Sequence, residues 1–290
     1  LLASRPGWPF PEPMQTAPDM PHIVDQLIEE RAVKLRAGPA WPLVRRVIYP
    51  LLGYRRAVAV ADQLAGRTGR EAMDWSETFL SMPVSAHGVH HVPETGPCVV
   101  TANHPGGIAD GIAVWSALKA RRPDMVFFAN RDAIRVCAGL ADKVIPVEWR
   151  GEARSRDKTR ETLRQSIEAF RQGRCVVIFP AGRMAQWDWR AFRLVEQDWA
   201  PTAVSLARKF DAPVVPLGLK QRMSVMFYAL GQVHEELKHM TVFHELLAKR
   251  GARYRMKVAA PVAPGDLPGD DAAASAALRS MSETLSSEAR

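Results

Sequence analysis

Pro97-Cys-Val-Val-Thr-Ala-Asn103 is a short apolar run that ends in a polar turn, and His104-Pro-Gly-Gly-Ile-Ala-Asp110-Gly111 follows it directly. Pro105, Gly106 and Gly107 interrupt the chain, and Gly111 to Arg122 then reads as a helix. An apolar run of this length between turn signals fits a strand covered on both faces. The segment therefore reads as strand, tight turn and helix.

The same alternation continues downstream. Met125 to Ala129 and Lys143 to Val147 read as strands. Ser155 to Gln172 reads as a helix with Leu163, Ile167 and Phe170 on one face and Gly173 as its stop. Cys175 to Phe179 is a buried strand, Trp199 to Phe210 a helix and Ala212 to Leu219 a strand. Arg253 to Ala259 is a late strand, and Asp271 to Ser287 a closing helix with Leu278, Met281 and Leu285 inward. Strands alternating with helices of about a dozen residues imply βαβ units. The expected fold class is α/β, with a mainly parallel or mixed central sheet flanked by helices. Ligands of such sheets bind beyond the carboxyl ends of the strands.

Upstream of the sheet the texture is different. Residues 1–21 are proline-rich and aperiodic, an extended arm. Residues 22–82 form a helical N-terminal region, and residues 83–290 the α/β domain. Pro21 to Ala37 and Met73 to Leu80 read as helices. In Trp41 to Tyr54, Val44, Val47, Ile48, Leu51 and Leu52 fall on one helical face, and Pro50 shortens or kinks the helix. From Arg31 to Arg56 the chain carries basic residues and no acidic one. Two readings are open. The helix lies in a membrane plane, with Trp41, Tyr49 and Tyr54 at the headgroups and Arg45, Arg46, Arg55 and Arg56 against anionic lipid. Otherwise it is an amphipathic helix packed on the sheet.

Composition narrows the function classes. Hydrophobic residues are 47% and charged residues 24%, which rules out a wholly disordered chain. No apolar stretch approaches the ~18 residues of an ordinary transmembrane helix. Cys98, Cys137 and Cys175 are too few and too scattered for a disulfide scaffold or zinc site, so a reducing compartment is expected. His234 and His239 are one residue too far apart for a helical zinc motif, and no metal is expected. The net charge is +8, and most of the 39 basic residues are Arg. Arg forks onto phosphate, so an anionic partner is one source of this bias; Arg-rich codon usage is another. No nucleic-acid module or aromatic–basic interleaving is present, so no nucleic-acid partner is expected.

Two strand ends carry the chemistry. At the first, the turn can fold Asp110 back onto His104. A carboxylate on one imidazole nitrogen fixes the tautomer and leaves the other nitrogen as a base. Asp is also a good helix N-cap, so the pair could equally do no more than cap a turn. Gly106 and Gly107 serve the turn or offer N–H groups to an oxyanion. At the second, Phe179-Pro180-Ala181-Gly182-Arg183 forms a tight loop at the same sheet edge. Arg183 there reaches a phosphate or is merely solvated.

Together these blocks resemble the glycerolipid acyltransferase superfamily, the lysophospholipid acyltransferases. His104 and Asp110 match its His–Asp block. Phe179, Pro180 and Gly182 match its Phe-Pro-Glu-Gly-like loop, and Pro216 its apolar strand with proline. Lys143 to Arg150 is similar to the intervening block, whose Arg lies near the acceptor phosphate. The order and spacing agree over residues 85–220. Two features depart from the commonest pattern. Five residues rather than four separate His104 from Asp110, as in the branch with the hemolysin-like and ornithine-lipid-type acyltransferases. Ala181 stands where Glu is usual, and Arg183 where many members have Thr.

The resemblance implies a membrane-peripheral enzyme of lipid metabolism on the cytoplasmic face. It implies transfer of a fatty acyl group from acyl-CoA or acyl carrier protein to a lyso-lipid acceptor, with no cofactor. His104 is the implied general base, and Asp110 orients it. Arg150 and Arg183 hold the acceptor's anionic head group in a pocket shaped by Phe179, Pro180 and Gly182. The implied partners are membrane lipids, the acceptor and, for one donor type, acyl carrier protein. An inactive lipid-binding homologue and an acyl-thioester hydrolase are the rival readings.

Overall fold

The computed structural model describes residues 21–39, 41–148 and 155–289. The N-terminal arm and Arg150 thus lie outside the described residues. The chain begins with α1 (Ile23–Glu29), α2 (Val33–Ala37), α3 (Trp41–Leu51), α4 (Tyr54–Leu64) and α5 (Gly69–Leu80). The sheet domain then runs β1 (Val84–His87), β2 (Cys98–Ala102), α6 (Ile108–Leu118), β3 (Val126–Asn130), α7 (Asp132–Val136), β4 (Val144–Val147), α8 (Arg156–Arg171) and β5 (Cys175–Ile178). Next come β6 (Gln186–Asp188), β7 (Arg193–Val195), α9 (Thr202–Phe210), β8 (Val214–Lys220), α10 (Val225–Val233), α11 (Glu235–Met240) and α12 (Val242–Ala248). The last elements are β9 (Tyr254–Val258) and α13 (Asp271–Glu288).

Seven strands form the central sheet in the order β1-β9-β8-β2-β5-β3-β4. The five from β8 to β4 are parallel to one another; β9 is antiparallel to β8, and β1 is parallel to β9. The sheet is therefore mixed. β2 lies at its centre and is buried along its whole length. Its alternate side chains enter two cores. Val100 and Ala102 face Trp115 and Leu118 of α6, while Val99 faces the side that holds Phe170 of α8, Val204 of α9 and Leu278 of α13. Helices on both faces explain why the strand runs are uninterruptedly apolar.

The N-terminal helices build a third apolar cluster from Val24, Ile28, Tyr49, Leu52, Val58 and Met240 of α11. Asp25 is buried there. It accepts from Tyr54 Oη at 2.6 Å and Arg45 Nη2 at 3.0 Å, which offsets the cost of burying a carboxylate. This corrects part of the expected membrane face. Tyr49 is buried, Tyr54 stacks on it at 4.8 Å, and Arg45 lies over the Tyr49 ring, so these three face the protein. Leu43, Val47 and Leu51, at i, i+4 and i+8, are exposed, as is Arg46. Trp41, Val44 and Ile48 are half-buried. The helix packs on α2 and α4. No described helix is long and apolar enough to cross a membrane.

Candidate active site

The carboxyl ends of β2, β5 and β8 lie side by side, because the three strands are parallel neighbours. Asn103 leaves β2 and locks it to β8: its amide donates to the Leu219 carbonyl at 2.9 Å and accepts the Leu219 N–H at 2.7 Å. His104 follows at once. Its Nδ1 lies 3.0 Å from Asp110 Oδ2, and its ring stacks on Phe179 at 4.4 Å. The Asp110 side chain is fully buried, whereas that of His104 is 20% exposed. With Nδ1 held by the carboxylate, Nε2 is the nitrogen available to a substrate.

Asp110 is not the N-cap. Gly107 caps α6, and Asp110 lies in the first helical turn. From there its Oδ2 also accepts the Gly106 N–H at 2.8 Å. That bond takes Gly106 out of the set of oxyanion donors; its part is to hold the turn. The Gly107 N–H stands at the helix start, where the first N–H groups have no intrahelical partner. Glycine is required at both places. A Cβ on Gly106 would stand 2.3 Å from Tyr254 Oη and 2.4 Å from Asp110 Oδ1. Gly107 has φ +71° and ψ −145°, a conformation that side chains exclude.

The second loop is tied to the first. The Ala185 N–H donates to the His104 carbonyl at 3.0 Å, and the Gly182 N–H closes a turn on the Phe179 carbonyl at 2.9 Å. Pro180 is buried, and its carbonyl accepts the Ala200 N–H. Arg183 is exposed on this loop. It stands within electrostatic reach of His239 on α11, as do Lys238 and Arg31. Burial first, and then Lys238, push the His239 imidazole down to about 4 against the opposing Glu235 carboxylate, so it is neutral near pH 7.

Two residues of the site carry no signal in the sequence motifs. Glu196 is buried, and both its carboxylate oxygens lie 3.3 Å from the His104 backbone nitrogen. Burial pushes its carboxyl up to about 7; the bond from the His104 N–H opposes this and the Asp110 charge adds to it. The family loop's usual Glu is Ala181 here, and the buried carboxylate beside the histidine comes from Glu196. Tyr254, at the start of the antiparallel β9, turns its hydroxyl toward Asp110 from across Gly106. Burial, and then the Asp110 charge, hold the phenol far above its usual range, so it stays protonated.

Comparisons with known proteins give three likenesses. A family model described as Acyltransferase matches residues 83–220, the segment that contains His104, Asp110, the 179–183 loop and Pro216. Residues 83–220 thus match the Acyltransferase family, in keeping with the resemblance to the glycerolipid acyltransferase superfamily. A lyso-glycine lipid O-acyltransferase of Phocaeicola vulgatus is 24% identical to the chain over 247 residues, covering 80% of this chain and 85% of the relative. Among solved structures, the 1-acyl-sn-glycerophosphate (LPA) acyltransferase PlsC of Thermotoga maritima matches with a TM-score of 0.49 and 16% identity. That match covers 92% of this chain and 96% of PlsC.

Proposed function

We propose that this acyltransferase-family protein moves a fatty acyl group from an acyl thioester to a hydroxyl of a lyso-lipid at a membrane surface. The observation that carries the reading is the His104–Asp110 pair: a buried carboxylate bonded to Nδ1 of an imidazole whose other edge is open. The acceptor hydroxyl gives its proton to His104 Nε2 as its oxygen attacks the thioester carbonyl carbon. Asp110 supports the imidazolium that forms. The Gly107 N–H faces the developing oxyanion at the start of α6. Collapse of the tetrahedral intermediate breaks the carbon–sulfur bond, and the thiolate takes the proton back from Nε2. A thioester is already activated, so the reading asks for no metal or cofactor.

The exposed Arg183 on the loop beside His104 supports an acceptor with an anionic head group. Arg150 is assigned the same role through the resemblance alone. Acyl-CoA and acyl carrier protein fit the reading equally; both are cytosolic donors, which favours the cytoplasmic leaflet. The exposed Leu43–Val47–Leu51 stripe beside Arg46 supports peripheral attachment through α3. The test is incubation of the pure protein with a labelled acyl donor and a panel of lyso-lipids. The expected result is a labelled diacyl product that falls at least about 10²-fold in His104→Ala, the loss appropriate to a general base. Release of free fatty acid without a lipid product would make the protein a hydrolase. No turnover of the donor would make it a binding protein.

A further inference from the structure

Strands β6 and β7 form a two-stranded hairpin outside the central sheet. Its turn presents Trp189, 43% exposed, and Phe192, 76% exposed. Phe192 has φ +49°, a left-handed conformation that bulky side chains rarely adopt. Two large aromatic groups held in water beside one another call for a partner.

The residues behind the turn say where that partner lies. Trp187 touches both tip residues, with ring centroids 6.3 Å from Trp189 and 6.4 Å from Phe192. On its other side it meets Tyr228 of α10 at 6.2 Å. Trp187, Leu194 and Met184 pack on Met223, Phe227 and Tyr228. Met223 and Met184 in turn border Gly107: a Cβ there would lie 3.0 Å from Met223 Cε and 3.3 Å from Met184 Sδ. An apolar track thus runs from the catalytic turn to the hairpin tip. Val225, beside Met223, and Ile108, beside Gly107, add exposed apolar surface.

Charge points the same way. Arg183, Arg190 and Arg193 are exposed along this stretch. The hairpin's carboxylate, Asp188, is turned onto the backbone, accepting the N–H groups of Arg190 at 2.8 Å and Ala191 at 3.0 Å. Aromatic tips flanked by arginines suit the headgroup layer of an anionic bilayer.

We propose that the hairpin 186–195 is a membrane-docking element, inserted tip-first into anionic bilayer so that the mouth of the His104 site opens onto the lipid. It deepens the reading above, and rests on that reading for the use of the mouth but not for the docking itself. A lyso-lipid then reaches His104 along the Trp187–Met223 track without leaving an apolar environment.

The test is flotation of the full chain with vesicles of phosphatidylcholine plus phosphatidylglycerol, and with phosphatidylcholine alone. A variant carrying Trp189→Ser and Phe192→Ser should bind the mixed vesicles at least about tenfold more weakly, given the apolar area withdrawn from lipid. Its melting curve and its turnover of a detergent-dispersed lyso-lipid should be unchanged, because the tip residues do not touch the catalytic pair and meet the apolar track only at its outer end, against Trp187. Trp189→Phe should restore binding. Binding by the double variant equal to wild type overturns the proposal, as does a loss of self-association with vesicle binding intact, since a second copy would then be the occupant. Hairpin-dependent binding by a wild type that transfers no acyl group upholds the docking and removes the reaction. Transfer with hairpin-independent binding upholds the reaction and removes the docking.

Discussion

Replacing Glu196 by Gln should change how stability depends on pH. The Glu196 carboxyl is displaced from its ordinary 4.5 to about 7, chiefly by burial. The folded protein therefore holds a proton that the unfolded chain gives up, and between these two values folding is linked to proton uptake. Stability falls as pH rises through that window, and the full cost is present above pH 7. The displacement from 4.5 to about 7, at about 1.36 kcal/mol per pH unit, amounts to about 3 kcal/mol. Glutamine is neutral throughout, and its amide oxygen can accept the His104 N–H that Glu196 accepts now. Urea unfolding of both proteins from pH 4 to pH 8 measures the effect. The stability of Glu196→Gln relative to wild type should rise across the window by on the order of 3 kcal/mol and then level off. Parallel curves would refute the argument and mean that water or a conformational change relieves the carboxylate.

Tyr254→Phe should lower kcat about tenfold with little change in acceptor KM, because it removes a buried hydroxyl dipole that stands across Gly106 from the charge that positions His104; equal kcat in steady-state assays would place the phenol outside the network. Arg183→Ala should cost roughly tenfold or more in kcat/KM with acceptor varied and little with donor varied, the signature of a head-group contact. Joint replacement of Leu43, Val47 and Leu51 by Ser should weaken vesicle pelleting at least about tenfold while sparing the melting curve, since these side chains are already in water. Arg45→Gln should instead lower stability by on the order of 1 kcal/mol in urea unfolding, because Arg45 serves the buried Asp25.

The elements legible in the sequence are those whose environment is uniform along the chain. β2, β5 and β8 are covered on both faces, so they appear as unbroken apolar runs between Pro and Gly signals. The Asp110 contact was legible as one of two options, since an Asp at the start of a helix can also cap the turn. β6 and β7 are three residues each, too short for an alternation to register. α10, α11 and α12 are short helices broken at His234 and Thr241, and none shows a sustained period. Within Trp41 to Tyr54 the helix was visible, yet its inward side was not. Tyr49 and Tyr54 are aromatic residues suited equally to a headgroup layer and to a core; Asp25 on α1 takes the Tyr54 hydroxyl inward, and Tyr49 stacks on that ring.

By itself, the sequence determined the α/β class and the strand-end positions of His104 and Arg183, which follow from hydrophobic period and turn residues. Between a His104–Asp110 contact and a mere turn cap it left the choice open, and the fold makes the contact. The tertiary structure alone decided the direction of β9, the approach of Tyr254 to Asp110, and the placing of Glu196 under the His104 backbone. It also decided that the Gly106 N–H serves Asp110 and not an oxyanion. Each of these joins residues from different strands or loops. A strand's apolar pattern is the same in either direction, and a lone Glu or Tyr has no periodicity to betray its partner. Only the packed sheet brings the start of β9 and the segment after β7 to the edge where β2 ends.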